Sequence, residues 1–69
     1  LAEQKILNFL DENDGFLPLT DKSDPEEVRA LLGLSKKTFK QAIGKLYKHR
    51  RVAIEAEGIR NLNNPRVKN

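Results

Sequence analysis

Residues 24–50 read DPEEVRALLGLSKKTFKQAIGKLYKHR, and this stretch predicts two helices joined by a tight turn. Asp24 suits the N-cap of the first helix, and Glu27 stands three residues later, where it completes a capping box. Gly33 is expected to end that helix, and Ser35 to cap the next one. Two helices joined by so short a turn are typical of a helix-turn-helix.

Both helices have an apolar side that we expect to face one core. In the shorter helix, Val28, Leu31 and Leu32 are predicted to point inward. The longer helix is predicted to run from Lys36 to about Arg50. Its apolar residues recur at helical spacing and are Phe39, Ala42, Ile43 and Leu46.

The opposite side of the longer helix is polar and cationic. Its outer stripe consists of Lys37, Gln41, Gly44 and Lys48, with Lys40 and Lys45 on the flanks. Glycine inside a helix lowers helix stability by about 1 kcal/mol relative to alanine, so the presence of Gly44 requires an explanation. Two reasons remain open: Gly44 lets another backbone approach the helix, or it packs against a neighbouring element of the fold.

The residues before this stretch predict a first helix and a short edge strand. A stripe at helical spacing runs from Ala2 to about Asn13, and Gly15 ends the helix because it tolerates a positive φ. The stripe consists of Ala2, Ile6, Phe9, Leu10 and Asn13, with Leu7 on its edge. Residues 16–19 are apolar, but Pro18 has no N–H to donate, which favours an edge strand of two or three residues.

Two further strands are predicted after the longer helix. Residues 52–55 form the first, Glu57-Gly58 is a candidate hairpin turn, and residues 59–62 form the return strand, in a register that the pattern does not fix. The resulting order, α-β-α-α-β-β, predicts an α+β winged helix-turn-helix with three helices and a small antiparallel sheet. We assign residues 1–62 to this domain and residues 63–69 to a polar tail.

The composition limits the class of protein. A chain of 69 residues has room for one domain with one small core, and it has no cysteine for a disulfide or a thiolate zinc site. No apolar run approaches the roughly 18 residues that a membrane span requires, and no signal peptide is evident, so we expect no membrane partner. Because the chain begins at Leu1 inside a helical pattern, we expect it to be part of a longer protein.

Charge is divided sharply between the two halves of the chain. Residues 1–34 hold three basic and eight acidic residues, a net charge of −5, whereas residues 35–69 hold ten basic and two acidic residues, a net charge of +8. A cationic end of this kind favours a polyanionic partner, and nucleic acid is the commonest polyanion.

Three segments resemble the C-terminal winged-helix domain of the conserved virulence factor B family. They are GFLPLTDKSDPEEV (15–28), LSKKTFK (34–40) and IGKLYK (43–48), and the resemblance covers roughly residues 15–62. Members of that family are bacterial proteins with several S1-type RNA-binding barrels in front of this module. The resemblance implies a cytoplasmic RNA binder with regulatory effects on gene expression, S1-type domains upstream in the parent chain, and no enzymatic activity.

The candidate nucleic-acid contacts lie on and just after the longer helix. They are Lys37, Lys40, Gln41, Lys45 and Lys48, supported by Lys36, Arg50, Arg51 and Arg60. Lysine is a flexible point charge that follows phosphates, and the outer stripe offers only Gln41 as a base reader. Tyr47 is interpreted as a partly buried packing residue. We therefore expect weak binding through the phosphate backbone. Of Arg50, Arg51 and Arg60, we expect Arg60 to be the freest of structural interactions.

Other interpretations of the same residues remain open. The lysine stripe is also compatible with a solvated helix face, and cations near a helix C-terminus, such as Arg50 and Arg51, stabilise its dipole. RNA is the expected partner, a DNA-binding transcription regulator is the first alternative, and a winged helix that binds another protein is the second.

Catalysis is not expected. His49 is the single histidine, and Ser23 and Ser35 suit helix starts. The acidic cluster around Asp14 resembles a calcium loop only superficially, because Gly15 stands where that loop needs a ligand and no glutamate closes it. The sequence therefore implies no enzyme, no metal or other cofactor, and no small-molecule substrate.

Overall fold

The computed structural model describes residues 1–62, and these residues form three helices and three strands. The helices are α1 (Ala2–Glu12), α2 (Pro25–Leu32) and α3 (Lys36–Lys48), and the strands are β1 (Phe16–Leu17), β2 (Val52–Glu55) and β3 (Gly58–Asn61). Their order confirms the α+β winged helix-turn-helix. The predicted polar tail, residues 63–69, lies outside the described residues. None of the helices in residues 1–62 has the length and apolar character needed to cross a membrane.

Helix α1 packs its predicted apolar stripe against the core, except at the C-terminal end of the stripe. Ile6 and Leu10 are fully buried, and Ala2, Leu7 and Phe9 are partly buried against the core. Asn13, which was expected on this stripe, is exposed and lies just beyond the helix, where its side-chain amide donates to the Phe9 carbonyl at 2.8 Å. Gly15, with a φ of 80°, then turns the chain into β1, as predicted.

Helix α2 begins where the sequence predicts, but the capping box does not form. Asp24 occupies the N-cap position with an extended backbone, yet its side chain makes no capping hydrogen bond, so the predicted box with Glu27 is wrong. Val28 and Leu32 are buried as expected. Leu31 is 43% exposed instead of inward-facing, because it lies about 100° around this short helix from Leu32.

The turn between α2 and α3 follows the sequence prediction closely. Gly33 takes the left-handed conformation, with a φ of 71°, and ends α2. The Ser35 hydroxyl accepts a hydrogen bond from the Thr38 backbone N–H at 3.1 Å and so caps α3. The four residues predicted for the inner side of α3 are all buried: Phe39, Ala42, Ile43 and Leu46.

Helix α3 ends at Lys48, two residues before its predicted end at Arg50. Arg50 has a φ of 59°, its N–H donates to the Tyr47 carbonyl at 3.0 Å, and the N–H of Arg51 donates to the Leu46 carbonyl at 2.8 Å. This pair of bonds is a Schellman motif, which satisfies the last carbonyls of the helix. The motif usually has glycine where Arg50 stands, so no local sequence signal marks this helix end.

The three strands form one antiparallel sheet in the order β1-β3-β2, which places β1 at an edge as predicted. Ile59 of β3 is paired with Leu17 on one side and with Ile54 on the other. The hairpin of β2 and β3 is the wing, and its register follows from these pairs. Ile59 and Leu17 are buried and close the core beneath the helices.

The loop of the wing lies one residue earlier than predicted. It consists of residues 56–57, and Gly58 is already the first residue of β3. A side chain at Gly58 would collide with the Leu17 carbonyl and with the ring of Phe16. Glycine is therefore required here because β1 passes close to β3.

Candidate nucleic-acid interface

The lysines of α3 point away from the core because the helix has one buried side and one exposed side. Successive residues turn by about 100°, so the burial of Phe39 and Leu46 fixes the opposite side toward solvent. The residues exposed there are Lys37, Lys40, Gln41, Gly44, Lys45 and Lys48. Lys36, at the first position of the helix, is half-buried. The structure thus brings six of the nine predicted contact residues onto one helix.

Acidic residues from the opening half of the chain neutralise very little of this surface. Glu3 of α1 lies 4.0 Å from the Lys45 ammonium, whose side chain remains 72% exposed. Within residues 1–62, the other α3 lysines form no ion pair: Lys36, Lys37, Lys40 and Lys48. The cations therefore remain available to an external anion.

Two of these lysines occupy positions that disfavour a positive charge. Lys36 and Lys37 are the first two residues of α3, where the helix dipole is positive, and no acidic residue accompanies them in that turn. A cation there is unfavourable by about 0.3–1 kcal/mol, whereas Lys45 and Lys48, in the last turn, are favourable. Helix stability therefore explains the lysines at the C-terminal end of α3 but not those at its start.

Arg50 and Tyr47 line a cleft at the end of α3. With Lys48, they face Val52 and Leu62 across a space of about 370 Å³. The Tyr47 side chain is 58% exposed, so the prediction that it is a partly buried packing residue is wrong. It lies about 100° around the helix from Leu46, at the boundary of the buried stripe, and helical spacing alone does not decide such a position.

Arg51 directly follows Arg50 and is also exposed, just before β2. Both arginines therefore lie next to the C-terminal end of α3, as the sequence predicts. Their backbone N–H groups are used in the helix-ending turn, which leaves the side chains to project from a fixed backbone.

Arg60 is separated from the lysines of α3. Its Nε donates to both carboxylate oxygens of Glu55, at 3.2 and 3.0 Å, and its guanidinium lies 5.0 Å from the centre of the Phe16 ring. Because side chains alternate along a strand and Ile59 faces the core, Arg60 lies on the outer face of the sheet. The expectation that it is the freest of the three arginines is wrong, and its role as a contact stays a prediction.

Gly44 lies in the open between two grooves. A methyl group placed on it would meet no atom within 4 Å outside the helix's own backbone, so the packing explanation for this glycine is wrong. On one side is the α1 groove, of about 450 Å³, lined by Ala2, Glu3, Gln41, Lys45 and Lys48. On the other is the wing groove, of about 190 Å³, lined by Lys40, Ile43, Ile54 and Ile59. Gly44 borders both grooves.

Metal ligation finds no support in the part of the chain that the structure describes. No group of three or more His, Asp or Glu side chains in residues 1–62 is arranged to hold a metal ion. The acidic residues near Asp14 therefore do not assemble a cation site there.

These features define a class: a winged helix-turn-helix domain whose third helix presents an exposed, cationic surface. Comparison with known proteins then identifies the family. The chain belongs to the CvfB-like winged helix domain family, whose model matches residues 4–60.

Individual relatives agree with this assignment. A conserved virulence factor B from Staphylococcus saprophyticus is 47% identical over 53 residues, which are 77% of this chain and 18% of that protein. A protein of the same name from Staphylococcus aureus (strain MRSA252) is 50% identical over 52 residues, or 75% of this chain and 17% of that protein. The chain therefore matches less than a fifth of the length of these relatives.

A solved structure has the same fold. It is a crystal structure from Streptococcus pneumoniae, described as a multidomain protein with nucleic acid binding domains. It superposes with a TM-score of 0.83 at 38% identity, covering 88% of this chain and 21% of that one.

Proposed function

We propose that this domain binds nucleic acid, and specifically RNA, as one module of a larger regulatory protein. The observation that carries the proposal is the exposed side of α3, where Lys37, Lys40 and Lys48 stand together without an ion pair in residues 1–62. A surface of this kind attracts phosphates, and their binding releases the counterions that surround a nucleic acid.

The contacts are expected to follow the phosphate backbone instead of reading bases. Lysine is a flexible point charge without the planar fork that recognises a base edge, and Gln41 is the one amide on the outer stripe of α3. We therefore expect weak binding with little sequence preference. The proposed contact set is the one derived from the sequence: Lys36, Lys37, Lys40, Gln41, Lys45, Lys48, Arg50, Arg51 and Arg60.

Single-stranded RNA is favoured over duplex DNA by the exposure of Tyr47. Its ring lies beside Lys48 and Arg50 in the same cleft, so a base can stack on the ring while its phosphate meets a cation. Bases in a duplex are already stacked and cannot use such a site. The similar crystal structure is described as having nucleic acid binding domains, which supports this class of partner.

The rest of the proposal concerns the parent protein. Because the relatives are several times longer than this chain, we propose that other domains provide most of the affinity. We propose upstream S1-type RNA-binding domains in that role and a cytoplasmic location for the whole protein. In this arrangement the winged helix adds a second contact to an RNA that is already bound, which raises the effective concentration of the domain.

Charge reversal on α3 tests the proposal directly. Lys37→Glu combined with Lys48→Glu should abolish detectable binding of single-stranded RNA in fluorescence anisotropy. The melting temperature should hardly change, because Lys37→Glu improves the helix dipole interaction at one end of α3 and Lys48→Glu worsens it at the other. Unchanged affinity in this double variant would contradict the proposal.

A matched control separates a specific surface from net charge. Lys5→Glu with Lys22→Glu changes the net charge by the same amount, at two exposed positions outside α3. This variant should keep most of the wild-type affinity. Competition between single-stranded RNA, duplex RNA and duplex DNA then identifies the preferred nucleic acid, and a preference for duplex DNA would favour a DNA-binding regulator instead.

A further inference from the structure

Neither helix formation nor packing explains the glycine at position 44 of α3. It lies in the middle of a helix of 13 residues, where glycine is a poor choice. Its φ is not positive, since the described glycines with positive φ are Gly15 and Gly33. The space beside it is open, so a larger side chain would fit the folded domain without a clash. The absence of a side chain at this position therefore calls for an explanation outside the domain.

The surroundings of Gly44 indicate what approaches it. The α1 groove and the wing groove meet at this residue, so the surface is continuous from one side of α3 to the other. Lys40 stands about 6 Å before it along the helix axis and Lys48 about 6 Å after it, one turn away in each direction. Lys40 lines the wing groove, and Lys48 lines the α1 groove.

The charges along this surface match an extended anion better than a second protein. Lys40, Lys45 and Lys48 border the two grooves, and each groove also has one carboxylate, Glu3 in the α1 groove and Asp21 in the wing groove. Glu3 lies 4.0 Å from Lys45, whose side chain stays 72% exposed, and Lys40 and Lys48 form no ion pair within residues 1–62. A chain of phosphates that crosses the helix at Gly44 would therefore meet more cations than carboxylates.

We propose that the nucleic acid strand crosses α3 at Gly44, with its sugar–phosphate backbone resting on the helix between the two grooves. This inference depends on the proposed function, which it deepens by assigning the path of the strand. Without a side chain at position 44, the backbone approaches closely enough for Lys40 and Lys48 to reach phosphates on either side of the crossing. A side chain there would hold the strand several ångströms away from the helix, and both contacts would weaken.

The inference predicts that stability and binding change in opposite directions. Gly44→Ala and Gly44→Gln both replace glycine with a better helix former, so the melting temperature should rise by about 4–8 °C for alanine and slightly less for glutamine. Binding of an unpaired single-stranded RNA of about 12 nucleotides should fall at least about tenfold for glutamine and clearly less for alanine. Unfolding cannot explain a loss of binding in a variant that is more stable than the wild type.

A control variant tests whether the effect belongs to this position. Ala30→Gln places the same side chain on an exposed position of α2, and it should change the affinity by less than about twofold. Fluorescence anisotropy and thermal unfolding are measured for all variants of the 69-residue chain under the same salt conditions.

Each outcome has a distinct meaning. Wild-type affinity in Gly44→Gln, together with loss of binding in the Lys37→Glu, Lys48→Glu double variant, would overturn the crossing and leave the proposed function intact. An equal loss of RNA affinity in Gly44→Ala and Gly44→Gln would also overturn the crossing. Binding would then depend on the flexibility that glycine gives the helix and not on the close approach of the strand. Wild-type affinity in the double variant as well would contradict the proposed function itself.

Discussion

Three features of α3 are worse for helix stability than common alternatives. Lys36 and Lys37 carry positive charge in the first turn, Gly44 interrupts the middle, and Arg50 takes a left-handed conformation at the end. The side chains of Lys37 and Arg50 and the bare side of Gly44 are all exposed to solvent. Residues that oppose folding locally tend to mark functional positions, so their concentration on one helix supports an interface there.

At the level of one residue, Tyr47 provides a test of whether the domain prefers single-stranded or duplex RNA. Tyr47→Ala removes the exposed ring that we expect to stack on an unpaired base, and such substitutions cost about 1–3 kcal/mol per stacked base. Affinity for single-stranded RNA, measured by fluorescence anisotropy, should fall about fivefold or more, whereas any affinity for duplex RNA should change little.

The control for this prediction is Tyr47→Phe, which keeps the ring and removes the hydroxyl. It should bind single-stranded RNA nearly as well as the wild type. Equal losses for single-stranded and duplex RNA in Tyr47→Ala would show that the ring does not distinguish between them, and the preference for single strands would lose its support.

At the scale of the element, the end of α3 combines a structural cost with a candidate contact. Arg50 occupies the position in the Schellman motif where glycine is usual, and a left-handed conformation costs an L-residue about 1–2 kcal/mol. Arg50→Gly should therefore raise the free energy of unfolding by about 1 kcal/mol in urea denaturation, while it lowers RNA affinity because one cation of the cleft is lost.

Arg51→Gly is the matched control for that variant. Arg51 is also exposed and loses the same charge, but it is not among the described residues with a positive φ, so glycine there gives no relief of strain. Its stability should stay unchanged or fall slightly. If Arg50→Gly were less stable than the wild type, the side chain of Arg50 would be holding the fold together, and its conformation would need no functional explanation.

The elements that the sequence predicts well are those with strong local signals. Ser35 and Gly33 mark the turn between α2 and α3 through their backbone chemistry, and both take the predicted roles. The errors concern residues whose state depends on distant contacts. Leu31 and Tyr47 lie at the boundaries of apolar stripes, where the shape of the whole core decides burial.

The wing shows why the surroundings of some residues could not be predicted from the sequence. The sequence pattern predicts Gly58 in the hairpin turn, but the constraint on Gly58 comes from β1, more than 40 residues earlier in the chain. Arg60 is likewise held by Glu55 and by Phe16, and the pairing of β1 with β3 brings that ring next to it. Local patterns identify a cationic residue, but they do not reveal which of its neighbours in space it will bind.

At the scale of the whole molecule, few ion pairs join the acidic and basic halves within residues 1–62. Residues 1–34 contain eight acidic residues. Within residues 1–62, only Glu3 among them forms an ion pair with α3, at 4.0 Å from the Lys45 ammonium. The lysines of α3 thus retain most of their charge. An exposed cationic helix face of this kind attracts a polyanion.

The charge distribution leads to a prediction about salt. If four to six lysines and arginines contact phosphates, the logarithm of the association constant should fall with the logarithm of salt concentration with a slope of about −3 to −5. Single-stranded RNA should give the shallower value, about −3 to −4, because its phosphates condense fewer counterions than those of duplex DNA. Fluorescence anisotropy titrations from low to physiological salt provide the slope.

The variants make this measurement specific to α3. Each phosphate contact that is lost should make the slope shallower by about 0.7 on single-stranded RNA, so Lys37→Glu with Lys48→Glu should make it shallower by about 1.4 where residual binding is measurable at low salt. Lys5→Glu with Lys22→Glu, with the same net charge, should leave the slope near its wild-type value. A slope near zero for the wild type would mean that phosphates contribute little to binding, because a surface of exposed lysines cannot bind a nucleic acid without displacing counterions.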